Sequence, residues 1–144
     1  MGRHELREQT FRLLFRAEFH SAPDMEEQMA LFREDIPAED AGHTVNEEEA
    51  AYITARCGKI QEKLSEIDRI IDDNAEGWDT SRMGKAELTV LRLGVYEILF
   101  DDDIPDSVAI DEAVEIAKKY GQKASGGFVN AILAKVWKSG ENNL

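Results

Sequence analysis

Between residues 50 and 70, Ala50, Ile53, Cys57, Ile60, Leu64, Ile67 and Ile70 recur at alternating steps of three and four. That spacing returns an apolar side chain to one helical face at each turn, and the two-residue period of a strand cannot use it. Asn46 stands just before Glu47-Glu48-Glu49, placing an N-cap with an acid at the third helical position. One long amphipathic helix is therefore predicted from about Glu47 to Asn74, with Gly77 beyond its end. Fewer than four heptads make bundle core a better reading than a coiled-coil seam.

The same period organises the rest of the chain. Residues 3–20 read as a first helix, with Leu6, Leu13, Leu14 and Ala17 on one face and Phe11, Phe15 and Phe19 widening it. Residues 24–34 read as a short acidic helix, and 35–46 as a polar connection. Trp78 to Met83 reads as a hinge or short helical turn. From about Lys85 to Phe100, Leu88, Val90, Leu91, Leu93, Val95, Ile98 and Leu99 cover nearly all sides, which belongs in the middle of a bundle. Ser107 is a candidate cap for the next helix, whose inner face is Ile110, Ala113, Val114, Ala117 and Tyr120 and which Gly121 stops. Ser125 is a candidate cap for the last, with Phe128, Val129, Ile132, Leu133, Val136 and Trp137 as its apolar positions. Pro23, Pro37 and Pro105 all fall between periodic segments. The expectation is an all-α bundle of six to seven helices.

Composition narrows the function classes. No apolar run approaches membrane-spanning length, and the first residues lack the apolar stretch of a secretory signal, so a cytoplasmic protein is expected. The single Cys57 excludes an intramolecular disulfide and sits at an apolar repeat position, as an inert core thiol would. Gly84-Lys85 does not complete a phosphate loop, because residue 79 is Asp and residue 86 is Ala. His4, His20 and His43 lack metal spacing, and Asp101 to Asp103 reads as a solvated loop. No cofactor, metal or enzymatic activity is expected.

The net charge of −13 argues against polyanion binding, since acidic surfaces repel phosphates. The charge is unevenly spread, however. Residues 1–23 carry four Lys/Arg against three Asp/Glu, residues 24–79 five against seventeen, and residues 80–144 eight against ten. A polyanion site must therefore use the two ends. Arg3 and Arg7, one turn apart beside His4, suit successive phosphates or unpaired bases, although a solvated helix end explains them equally well. Arg12 and Arg16 read as a solvated face. Arg92, inside the most apolar helix, is either a structural ion pair or an RNA-facing guanidinium. Lys118, Lys119 and Lys123 straddle the Tyr120-Gly121 helix end, where lysines are ordinary dipole partners. Phe128, behind Gly126-Gly127 and near these lysines, suits stacking on an unpaired base, and Asn130 suits a base edge or the backbone.

Three segments carry a resemblance to a known family. Arg3-His4-Glu5-Leu6-Arg7-Glu8 with Leu13-Leu14-Phe15 is the first. Leu91-Arg92-Leu93-Gly94-Val95-Tyr96-Glu97-Ile98, followed by Ile104-Pro105 and Val108 to Ala113, is the second. Ala117-Lys118-Lys119-Tyr120-Gly121 with Phe128-Val129-Asn130 is the third. In this order the chain resembles the NusB family nearly end to end. The resemblance implies two three-helix subdomains, here about 1–76 and 77–144. It implies a transcription antitermination factor that binds boxA-type single-stranded RNA in nascent ribosomal-RNA transcripts. The implied partners are the small-subunit ribosomal protein NusE and the RNA polymerase elongation complex. The implied RNA site takes Arg3, His4, Arg7, Arg92, Lys118, Tyr120, Lys123, Ser125, Phe128 and Asn130. The chain departs from many relatives at Phe15, where they carry Tyr, at Ala124, where they carry an acid, and at Ala131, where they carry Gly. Losing an acid beside Ser125 eases RNA approach.

Two other readings remain open on the residues. One is a protein-only helical adaptor whose acidic segment, 24–79, docks a basic partner. The other is the NusB-like part of a ribosomal-RNA cytosine methyltransferase, which the absence of a cofactor glycine loop and of a second cysteine disfavours.

Overall fold

A computed structural model describes residues 2–16, 19, 27 and 45–142. Among these it has six α-helices and no strand: α1 (Arg3–Arg16), α2 (Glu47–Glu62), α3 (Leu64–Asn74), α4 (Lys85–Phe100), α5 (Asp106–Tyr120) and α6 (Ser125–Asn142). A 3₁₀ turn, Thr80–Arg82, lies between α3 and α4, as expected for the hinge. The acidic helix expected over 24–34 lies, apart from Glu27, outside the described residues, as does most of the connection over 35–46.

The chain forms two compact units, Met1–Gln61 and Glu62–Leu144. The division does not fall near residue 76, because α3 packs on α4 and α6 and so belongs with the C-terminal helices. The long helix expected over 47–74 is accordingly two helices, interrupted at Lys63 (φ −103°, ψ 12°) between two separate buried stripes.

In the N-terminal unit, α1 buries Phe11, Leu13 and Leu14, and α2 buries Ala50, Ile53, Cys57 and Ile60. Buried threonines lie within these faces with their hydroxyls satisfied by their own helices: Thr10 Oγ1 donates to the Leu6 carbonyl (2.8 Å) and Thr54 Oγ1 to that of Ala50 (3.0 Å). The Cys57 thiol donates to the Thr10 carbonyl at 3.5 Å. Burial pushes that thiol up to about 12, with nearby Arg56 opposing weakly. Asn46 and Glu49 form the expected reciprocal cap: Glu49 N–H donates to Asn46 Oδ1 (2.8 Å) and Asn46 N–H to Glu49 Oε1 (3.1 Å). Phe19 does not extend the core face. It stands in a turn beyond α1, 59% exposed, edge-on to Phe15 at 5.3 Å.

In the C-terminal unit α4 is central, touching α3, α5 and α6. Its fully buried Val90, Leu91 and Val95 meet a core that includes Ile67, Ile71, Ile116, Val129 and Leu133. Each such side chain contributes about 1.5–3 kcal/mol on leaving water. Ser107 does not cap α5. The helix begins one residue earlier, with Pro105 at the cap position and its carbonyl accepting from Ala109 N–H (3.0 Å). Gly77, at φ 76°, occupies the left-handed region where a side chain would be strained, and turns the chain after α3. Among the described residues no helix is long and apolar enough to cross a membrane.

Candidate nucleic-acid interface

The turn after Gly77 sets Trp78 against Phe128 in the first turn of α6. The ring centroids are 6.0 Å apart at 74°, an edge-to-face pair. Trp78 remains 53% exposed, so much of the indole faces water. These rings line an open cleft of about 210 Å³ with Met83, Gly84, Glu87, Gln122, Ala124 and Ser125. An aromatic wall, a small alanine and one carboxylate suit a flat heterocycle with polar edges.

The floor of the cleft is a hydrogen-bonded link between helices. Ser125, only 4% exposed, accepts from Gln122 N–H at 2.8 Å and donates to Glu87 Oε1 at 2.5 Å. Its hydroxyl therefore ties α6 to α4 instead of capping α6. The two glycines that follow differ in use. Gly126 is buried against Lys118, whose Cγ would lie 3.1 Å from an added Cβ, so it serves helix packing. Above exposed Gly127 there is open space.

Around the cleft, Lys118 is exposed and 3.7 Å from Glu115, a surface pair of small energetic weight. The Lys119 ammonium lies 5.5 Å from the half-buried Tyr120 ring. Lys123 is exposed, adjacent in sequence to Gln122 and Ala124 of the cleft, and makes no ion pair among the described residues. Asn130 is exposed.

Arg92 is placed otherwise. Its Nε and Nη2 donate to Asp68 Oδ1 and Oδ2, both at 2.9 Å, and its side chain is only 13% exposed. Of the two readings, the ion pair is present, with Asp68 on α3 as a partner.

In the N-terminal unit, Arg3 is exposed in the first turn of α1. His4 Nε2 stands 3.8 Å from Glu8 Oε2, a pair only when the imidazole is protonated. Arg7 is buried, 8% exposed. It falls on the same helical row as Thr10, Phe11 and Leu14, which draws it inward. Arg3 and Arg7 therefore do not present two equally open guanidiniums.

Sequence reasoning did not single out Trp78, Arg82, Met83 or Glu87 as site residues. The available signal was a tryptophan between Gly77 and Asp79 in a polar turn, where an exposed ring has no core to enter.

The pattern of the NusB family matches residues 4–138 of the chain. The chain belongs to the NusB family. It is 47% identical over 135 residues to the transcription antitermination protein NusB of Agathobacter rectalis, covering 94% of this chain and 98% of that protein. Among solved structures it superimposes on T. maritima NusB with a TM-score of 0.81 at 36% identity, covering 100% of this chain and 99% of the other. A NusB solved with NusE and double-stranded RNA gives a TM-score of 0.77 at 25% identity, covering 96% of this chain and 99% of the other. Within this NusB-family fold, the Trp78–Phe128 cleft is assembled wholly inside the C-terminal unit.

Proposed function

We propose that this chain is a transcription antitermination factor that binds boxA-type single-stranded RNA in nascent ribosomal-RNA transcripts. Its protein partner is NusE, and the assembly acts on elongating RNA polymerase in the cytoplasm. The observation that carries the RNA reading is the exposed Trp78–Phe128 wall with Lys123 beside it. An unpaired base stacks there, contributing about 1–3 kcal/mol. Lys118 and Lys123 neutralise phosphates in the C-terminal unit, while the many carboxylates that are not buried repel RNA elsewhere. Ser125 and Arg92 act as supports: the first holds α6 to α4 and the second holds α4 to α3. Asn130, exposed on α6, and Tyr120, half-buried at the end of α5, are further candidate RNA contacts outside the lining of the cleft.

A gel shift with a short boxA-type RNA, with and without NusE, tests the proposal. Single-stranded RNA should bind, and log K should fall with log salt at roughly 0.7 per phosphate contacted. A relative binds double-stranded RNA together with NusE, so the same sequence as a duplex forms the second arm. No binding to either RNA would leave the protein-only adaptor as the better reading.

A further inference from the structure

We infer that Arg82 is a positioning residue for RNA binding: it clasps the 77–82 turn and holds the Trp78 indole in place as a wall of the cleft. The inference rests on the cleft being a base-binding site. Trp78 projects from a short turn rather than a helix and is 53% exposed, so its ring has little core to fix it. A stacking platform that must be ordered on binding loses affinity to that ordering.

The backbone beneath the ring is already tied. Trp78 N–H donates to the Ala75 carbonyl (2.9 Å), Thr80 N–H to Asp72 Oδ1 (2.7 Å) and Arg82 N–H to the Asp79 carbonyl (3.1 Å). Arg82 adds the side-chain part. Its Nη2 donates to the Gly77 carbonyl at 2.6 Å, and its Nε lies 3.6 Å from Asp79 Oδ2. Its guanidinium carbon lies 5.8 Å from the Trp78 ring centroid. One planar fork thus reaches the residue before Trp78, the residue after it and the ring itself. Lysine has a single ammonium and cannot make these contacts together. The guanidinium is directed at the turn and the ring rather than at a phosphate. Loss of Arg82 should therefore lower affinity without removing a phosphate contact, so the salt slope should be kept.

The test uses the full chain carrying Trp137→Phe, which leaves Trp78 as the only tryptophan. Affinity for a boxA-type single strand, its salt slope and acrylamide quenching of Trp78 emission are measured. Arg82→Ala should weaken binding about two- to fivefold, keep the slope and raise quenching. Arg82→Lys should behave like Arg82→Ala, and it serves alone if the alanine variant fails to fold. Arg82→Ala should add nothing once Trp78→Ala is present. Parent-like binding by Arg82→Lys, a reduced slope, or additivity with Trp78→Ala would make Arg82 a direct phosphate ligand and overturn the inference. So would parent-like binding by Arg82→Ala where Trp78→Ala binds weakly. If Trp78→Ala itself binds like the parent, the base-binding reading of the cleft has failed, and the role of Arg82 in RNA binding falls with it.

Discussion

The seam between α3 and α4 and the corner where α5 meets α6 both carry cations, in opposite settings. At the seam, Arg92 is nearly withdrawn from water and held by both oxygens of Asp68. At the corner, Lys123 is exposed beside an aromatic cleft and makes no ion pair among the described residues. Formal charge is the same, but only the second is open to a phosphate. Arg7 teaches the same lesson in the N-terminal unit, buried one turn from exposed Arg3. In so acidic a chain, setting rather than number decides which cations can serve RNA.

Substitutions sharpen this contrast. The largest effect should come from the core that supports both regions: Leu133→Ala should destabilise by about 2–5 kcal/mol, read from denaturant unfolding. Asp68→Ala leaves the Arg92 guanidinium partly buried without its carboxylate and should cost about 1–3 kcal/mol, discounted for its partial exposure. It should not raise RNA affinity. A gain in affinity with unchanged stability would instead make Arg92 an RNA ligand that Asp68 restrains. Lys123→Ala should leave unfolding unchanged and reduce the salt slope by roughly 0.7. The last effect, absent at neutral pH, concerns Cys57. Its folded thiol is raised from 9.0 to about 12, so above pH 9.0 the unfolded chain releases a proton that the folded chain keeps. Stability should therefore be unaffected below pH 9.0 and should fall as pH rises toward about 12, and Cys57→Ser should remove that share of the fall.

Much of the fold was legible because burial follows the helical period. The stripe from Ala50 to Ile60, the near-complete burial of α4 and the Asn46–Glu49 cap all follow from local spacing. The break at Lys63 was not legible, because apolar spacing runs through it unchanged while the two halves pack on different partners. One wall of the candidate cleft was legible where an aromatic lies beside small residues and lysines, as at Phe128. Its opposite wall was not, since Trp78 reaches Phe128 only through the turn that follows Gly77. Nor does spacing reveal that Ser125 meets Glu87, far away in the chain, or that Arg92 meets Asp68.

The central claim is that Phe128 and Trp78 receive an unpaired base. Titration of the parent and of Phe128→Ala with one boxA-type sequence, as a single strand and as a duplex, tests it directly. The single strand should bind the parent more tightly than the duplex, and Phe128→Ala should weaken it by about 1–3 kcal/mol while leaving duplex binding and melting nearly unchanged. Preference for the duplex, with Phe128→Ala binding both forms like the parent, would contradict the account.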